Sequence, residues 1–194
     1  MDKKLAIASA LLIGLASVGF LLITGIFDNR IKTNTKDNIE AVSRQREIAD
    51  LLEKANSYRE AAMGTSDSTE ILKAVKASDD VIQKREEVRL FYYRASATYA
   101  LNALLASKEL GSQEGEELFK RIQTQKMDDL KKFYVAYMKK AAEATYALQK
   151  TIDDKKTKTI SLEKTKSFLW YFCFLFHSLG MVSALLAIIF KKFN

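Results

Sequence analysis

His177 is the only histidine in the chain, and it stands in an uncharged run from Phe168 to Phe190. An ionisable group in so apolar a stretch is costly to bury and marks a functional candidate. Its imidazole could ligate haem or a metal, with a second chain supplying the other ligand. The competing account is structural: a neutral ring, hydrogen-bonded to Ser17 or to a neighbouring subunit. One imidazole per chain is a poor ligand set, so no cofactor is expected.

A second candidate is REEVRLFYYRASATY, residues 85–99. Arg85, Arg89, Tyr92, Ser96 and Tyr99 recur every three or four residues and share one helix face. Turned inward, that face would be an anion pocket, with Arg85, Arg89, Tyr92 and Tyr99 as its ligand-binding residues. Unpaired buried charge is expensive, which favours the opposite orientation. Val81, Val88, Phe91 and Ala95 are then expected inside, with the arginines paired to Glu86 and Glu87 or meeting solvent.

What the chain lacks removes most other chemistry. Without a second histidine there is no pair of Glu-x-x-His motifs for a ferritin-like di-iron site. The middle of the chain has no Ser–His or Cys–His pair, no His/Cys zinc set and no glycine-rich phosphate loop. Cys173 is the one cysteine, so no disulfide forms within the chain. The expectation is a non-enzyme with no catalytic residue and no bound metal. The net charge of +7 does not point to nucleic acid. Between the apolar ends, 27 Lys/Arg are interleaved with 23 Asp/Glu, with no basic block carrying stacking aromatics.

The elements that carry these residues are legible from periodicity. Proline is absent and glycine is rare, with 7 in 194 residues, so an all-α fold is predicted. Leu5–Phe27 and Phe168–Phe190 are each uncharged and exceed the roughly 20 residues that cross a bilayer. The first is too long for a signal-peptide core and lacks a cleavage site, so it reads as an uncleaved anchor. Lysines at 3–4 and 191–192 place both short tails, 1–4 and 191–194, in the cytoplasm. Residues 28–167 are then an extracytoplasmic helical bundle between transmembrane helices 5–27 and 168–190. A plasma or inner membrane is the expected location.

Within that bundle, Leu118, Phe119, Ile122, Leu130, Phe133, Tyr134, Tyr137, Ala141, Ala144, Leu148 and Ile152 follow a helical three–four spacing. GTSDSTEIL, with Asp67 as an N-cap and Glu70 three residues on, predicts a turn and restart. GSQEG at 111–115 predicts another turn. A domain that leaves and re-enters one membrane face needs an even number of passes. Helix rise of about 1.5 Å per residue then demands one more reversal, near residue 79. Four antiparallel helices of unequal length result, the outer two continuous with the spans.

The spans carry small residues on one face each. In the second these are Cys173, His177, Gly180, Ala184 and Ala187; in the first, Ala6, Ala10, Gly14 and Ser17. Small faces let membrane helices approach closely. With Phe27 level with Phe168, Ala10 meets Ala184, Gly14 meets Gly180, and Ser17 meets His177. Alternatively, each small face meets another subunit.

In layout, a short cationic start, a span, a long helix, a helical bundle and a returning span resemble the transmembrane four-helix-bundle sensory region of bacterial chemoreceptors. That resemblance implies a ligand-sensing bundle. The family continues after its second span into a HAMP helix pair and a signalling domain. This sequence instead reads Lys191-Lys192-Phe193-Asn194, so a sensor of this kind would signal through a partner. KKFN also resembles the dilysine retrieval signal of endoplasmic-reticulum membrane proteins, although lysines cap membrane helices in any case. The leading expectation is an accessory or scaffold subunit of a membrane complex. Its partners are membrane lipid and other membrane subunits, further copies of itself included. A sensor-like ligand-binding protein and a small haem or redox protein using His177 are the alternatives.

Overall fold

The computed structural model describes residues 2–192. Four helices make up the fold: α1 (Asp2–Ala74), α2 (Asp79–Ala106), α3 (Ser112–Thr124) and α4 (Met127–Lys192). Among the described residues there is no strand. Two helices contain stretches long and apolar enough to cross a membrane, with mean hydropathies of 2.5 and 2.2. The chain divides into two compact units, one formed by the residues up to Ile39 with those from Asp153 on, the other by Glu40–Ile152. The segments 28–39 and 153–167 therefore group with the apolar ends rather than with the bundle.

The turn expected in GTSDSTEIL does not form, because α1 runs through it unbroken. Thr65, Ser68 and Thr69 donate their hydroxyl protons to the carbonyls of Ala61, Gly64 and Thr65, four residues back, at 2.8, 3.1 and 2.8 Å. Hydroxyls bonded within the helix no longer compete with it as caps. Thr65 and Thr69 are also buried, so packing holds the segment helical. Asp67 is a mid-helix residue and not an N-cap.

α1 instead stops at Ala74. The Ala77 amide donates to the Leu72 carbonyl and the Lys76 amide to the Lys73 carbonyl, with Lys76 at φ 55. This is a Schellman closure with lysine in the left-handed position usually given to glycine. Ser78 is the N-cap of α2, and Asp79 and Asp80 favour its positive end. The reversal expected near residue 79 lies here. The next link occupies 107–111, and Ser112 already begins α3, so most of GSQEG is helical. A further break at Gln125 and Lys126 has no glycine to announce it.

In the Glu40–Ile152 unit, α1 and α2 run antiparallel. Ser96 Oγ donates to the Ala55 carbonyl at 2.9 Å, while Arg85 donates to Ser68. α1 and α4 are also antiparallel, since Gln45 meets Gln149 and Asn56 meets Tyr134. Along α1 the buried residues Ala41, Ile48, Ala55, Ala62 and Thr69 recur every seventh position. That spacing is the seam of a left-handed coiled coil. Small residues predominate on it, which brings α2 close enough for a side-chain hydroxyl to reach a backbone carbonyl. Leu101, Leu104, Ile122 and Leu130 fill the core where α2, α3 and α4 meet.

Two tyrosines of α4 end in this core. Burial pushes the phenols of Tyr134 and Tyr137 above their ordinary pKa of 10.0. For Tyr134, Arg59 opposes that rise; for Tyr137, Arg121 does. The Tyr134 hydroxyl donates to Asn56 Oδ1, whereas the buried Tyr137 hydroxyl has no hydrogen-bond partner among the described residues. The folded state holds these protons more tightly than the unfolded one. Their contribution is thus fully present below pH 10 and is lost as pH rises through the raised folded-state pKa. Tyr137→Phe removes an unsatisfied buried hydroxyl and is expected to raise stability by about 1 kcal/mol. It should also shift alkaline unfolding to higher pH, as followed by circular dichroism across pH 9–12. Earlier alkaline unfolding in Tyr137→Phe would contradict this.

Candidate functional site

Residues 85–99 lie on α2, and the arginine–tyrosine face does turn toward α1. Arg85 donates through Nε and Nη2 to Ser68 Oγ, at 3.1 and 2.9 Å. Arg89 Nη1 pairs with Glu86 at 3.1 Å, and Lys73 stands 3.7 Å from the same carboxylate group. The Tyr99 ring stacks on Tyr58 with centroids 5.3 Å apart, and Tyr92 lies 6.3 Å from Tyr58. Ser96 is fully buried and spends its proton on Ala55.

Most of this face is engaged within the protein, although Arg85 stays exposed and the buried Arg89 Nε has no hydrogen-bond partner among the described residues. Ser68, Glu86 and Ala55 accept from Arg85, Arg89 and Ser96, and Tyr58 takes the rings of Tyr92 and Tyr99. Of the residues expected inside, Val81, Val88 and Phe91 are exposed, with Phe91 60% accessible, and Ala95 is half-buried. The reason lies in α1, which offers Ser68 to Arg85, the Tyr58 ring to Tyr92 and Tyr99, and the Ala55 carbonyl to Ser96. The face therefore joins two helices and leaves an apolar stripe on the outer side of α2.

The two apolar segments pack as an antiparallel pair. Ser9 Oγ donates to the Gly180 carbonyl at 2.8 Å, and the Phe20 and Trp170 rings lie 4.9 Å apart. Further along, Lys166 pairs with Asp28, and Lys155 with Asp37 at 2.6 Å. The seam on α1 is Ser9, Ala16 and Ile23, all buried. On α4 it includes Gly180 and Ala187, both buried, and the half-buried Cys173, His177 and Ala184.

The α1 face expected at this seam is rotated out of it. A Cβ on Gly14 would meet nothing within 4 Å, whereas one on Gly180 would meet Ile13 Cγ1 at 2.8 Å. Gly14 therefore does not face Gly180. Ser17 is exposed and donates to the Ile13 carbonyl of its own helix at 2.8 Å, so it does not pair with His177. Only the outer part of the expected stripe stays near the seam, where Ala6 and Ala10 line a groove with Ala184 and Ala187. The Phe20–Trp170 ring contact and the Ser9–Gly180 hydrogen bond run diagonally across the seam, whereas Asp28–Lys166 stays close to the level alignment of Phe27 with Phe168.

His177 is half-buried, and its Nδ1 is buried with no hydrogen-bond partner among the described residues. Among those residues no group of three or more His, Cys, Asp or Glu is placed to hold a metal ion. The interhelical pairs Asp28–Lys166 and Asp37–Lys155 were missed by sequence reasoning. Their signal was available: two aspartates ascending α1 and two lysines descending α4, at spacings of nine and eleven residues. No family model, curated protein or solved structure matches this chain.

Proposed function

We propose that this chain is a non-enzymatic accessory or scaffold subunit of a membrane complex, anchored by the helical hairpin. One observation carries the reading. In the hairpin the large apolar side chains point outward, with Leu15 at 70% and Leu21 at 76% exposure, while the small Ser9, Ala16 and Gly180 are buried. Only 17% and 6% of the two most apolar windows are buried. Water would penalise such a surface heavily, whereas lipid accepts it, and small seams are the usual way membrane helices approach. The stripe of Val81, Val88 and Phe91 on α2 supports docking of a further protein, since contiguous exposed apolar surface marks interaction sites. Pairing of Arg85 with Ser68 and of Arg89 with Glu86 gives less support to the sensor-like alternative.

The chain should remain in the membrane pellet after alkaline carbonate extraction. A photo-crosslinker at Phe91 should then give a protein adduct in intact membranes. Release into the supernatant would overturn the anchor. An adduct-free chain that runs as a lone monomer in mild detergent would overturn the accessory role. Both ends are expected on one side of the bilayer, because two spans flank the bundle. Single cysteines at Lys4 and Asn194, each in a Cys173→Ser background, should label from the same side with a membrane-impermeant maleimide. Labelling from opposite sides would show that one segment does not cross.

A further inference from the structure

We infer that the exposed stripe of α2 pairs in parallel with the same stripe of a second copy of this chain. This rests on the docking reading above and names the occupant of that face. The stripe keeps coiled-coil spacing. Val81, Val88 and Ala95 fall seven residues apart, and Lys84, Phe91 and Thr98 stand three residues after each of them. Val81, Val88 and Phe91 are exposed, whereas Arg85, Tyr92 and Ser96 of the same helix are the residues that meet α1. A seven-residue apolar repeat is the pattern by which helices meet one another, and here it lies away from the chain's own core. Valine at both first positions of the repeat favours two strands in parallel. Lys84 is the one cation in the stripe. Asp80 holds its ammonium at 2.9 Å, so the aliphatic stem can lie in the seam while the charge stays wet. One polar residue in such a seam fixes its register at some cost in stability.

Charge sets the direction. Asp80 and Glu87 lie along one edge of the stripe, and Arg85 lies along the other. In a parallel pair, a residue on the first edge meets the residue five positions on in its neighbour. Asp80 then meets Arg85 of the second copy, and the two-fold axis repeats the contact. Arg85 donates to Ser68 through Nε and Nη2, which leaves Nη1 for that carboxylate. Antiparallel pairing would set like edge against like edge, with Glu87 against the acidic edge and Arg85 against Arg85. Two heptads make a small interface. The spans confine copies to one membrane and so raise their effective concentration.

Full-length chain in a Cys173→Ser background is purified and reconstituted in phosphatidylcholine vesicles, where no other protein is present. Val81→Cys and Val88→Cys should each give a disulfide-linked dimer on mild oxidation, about tenfold faster than Gln83→Cys, which is exposed off the stripe. Phe91→Asp, added to Val81→Cys, should cut the rate at least about tenfold, because it puts an unpaired charge in the seam. Asp80→Arg should lower it about threefold, and adding Arg85→Asp should restore it by rebuilding the pair with its signs exchanged. Circular dichroism of each variant should match the parent, since the altered positions are exposed. Rates at Val81→Cys and Val88→Cys no higher than at Gln83→Cys overturn the inference. So does a mixed disulfide between Val81→Cys and a differently tagged Phe91→Cys chain without the Val81→Cys self-link, because a parallel pair keeps those positions about 15 Å apart along the axis. Loss without recovery in the exchanged variant would overturn the charge-set direction. Absence of self-links together with a photo-adduct from Phe91 to a different protein in native membranes would refute self-pairing and leave the accessory reading standing. Absence of both would remove the docking face itself.

Discussion

A chain carrying Gly19→Cys should form a disulfide between residue 19 and the native Cys173 on mild oxidation, and adding Gly180→Leu should suppress it. A Cβ built on Gly19 comes within 2.6 Å of Cys173 Sγ, so the two sulfurs can bond after a small shift. At Gly180 the partner helix comes close through its backbone as well as its side chains. A Cβ there would lie 2.8 Å from Ile13 Cγ1, 3.2 Å from Leu12 Cβ and 3.2 Å from the Ser9 carbonyl oxygen. Two of these neighbours cannot move without moving the backbone. Leucine must therefore separate the helices, with loss of the Ser9–Gly180 hydrogen bond and of close dispersion contacts. Overpacking of this kind costs about 1–3 kcal/mol, enough to lower the disulfide yield on the order of tenfold at fixed oxidation time. Gly14→Leu should leave the yield unchanged, because Gly14 faces open space. Non-reducing gels after cleavage within the bundle would read the result. Equal suppression by Gly14→Leu and Gly180→Leu would refute the register described above.

Leu130→Ala is expected to be among the most damaging single changes in the Glu40–Ile152 unit. The side chain is fully buried in the cluster that contains Leu101, Leu104, Ile122 and Tyr134. Truncation removes the transfer free energy of the lost carbons and leaves a cavity that helices tied at both ends cannot close. Such changes cost about 2–5 kcal/mol. Val135, five residues on, is 61% exposed, so Val135→Ala should change stability by less than about 0.5 kcal/mol. Thermal melts of the full chain in detergent, followed by helical circular dichroism, should separate the two variants clearly. Similar melts for both would mean that α4 presents a different face to the core.

The helical class, the two apolar segments and the α4 seam were legible because each rests on spacing within one element. Leu130, Tyr134, Tyr137, Ala141 and Ala144 are separated by three or four residues, and all are buried. Errors arose where the outcome depends on a partner helix. Glycine, serine and threonine at 64–69 carry turn chemistry, yet the segment stays helical because Thr65 and Thr69 continue a buried seam. The α1 stripe of Ala6, Ala10, Gly14 and Ser17 has the spacing of an interface, but so does the parallel row of Ser9, Ala16 and Ile23. Spacing alone could not choose between them, and the Phe20–Trp170 ring contact together with the Ser9–Gly180 bond did. Charge cost alone turns the arginine–tyrosine face outward, because it leaves out the partners that Ser68, Glu86 and Tyr58 supply. Sequence reasoning also passed over the Gln125–Lys126 break, where no residue type signals it.

The seventh-residue rhythm of Ala41, Ile48, Ala55, Ala62 and Thr69 gives this bundle a unit of length. Deleting one residue from that stretch would turn all that follows by about 100° and bring a solvent-facing row into the seam. Deleting seven would turn it by only about 20°, so the same face would still meet its neighbours. A shorter α1 alone would nevertheless misalign the level at which Ala55 receives Ser96 and Asn56 receives Tyr134. Lengths in α1, α2 and α4 are therefore coupled. Descendants of this sequence can lengthen or shorten the bundle only by two helical turns at a time, about 10 Å, taken from three helices together.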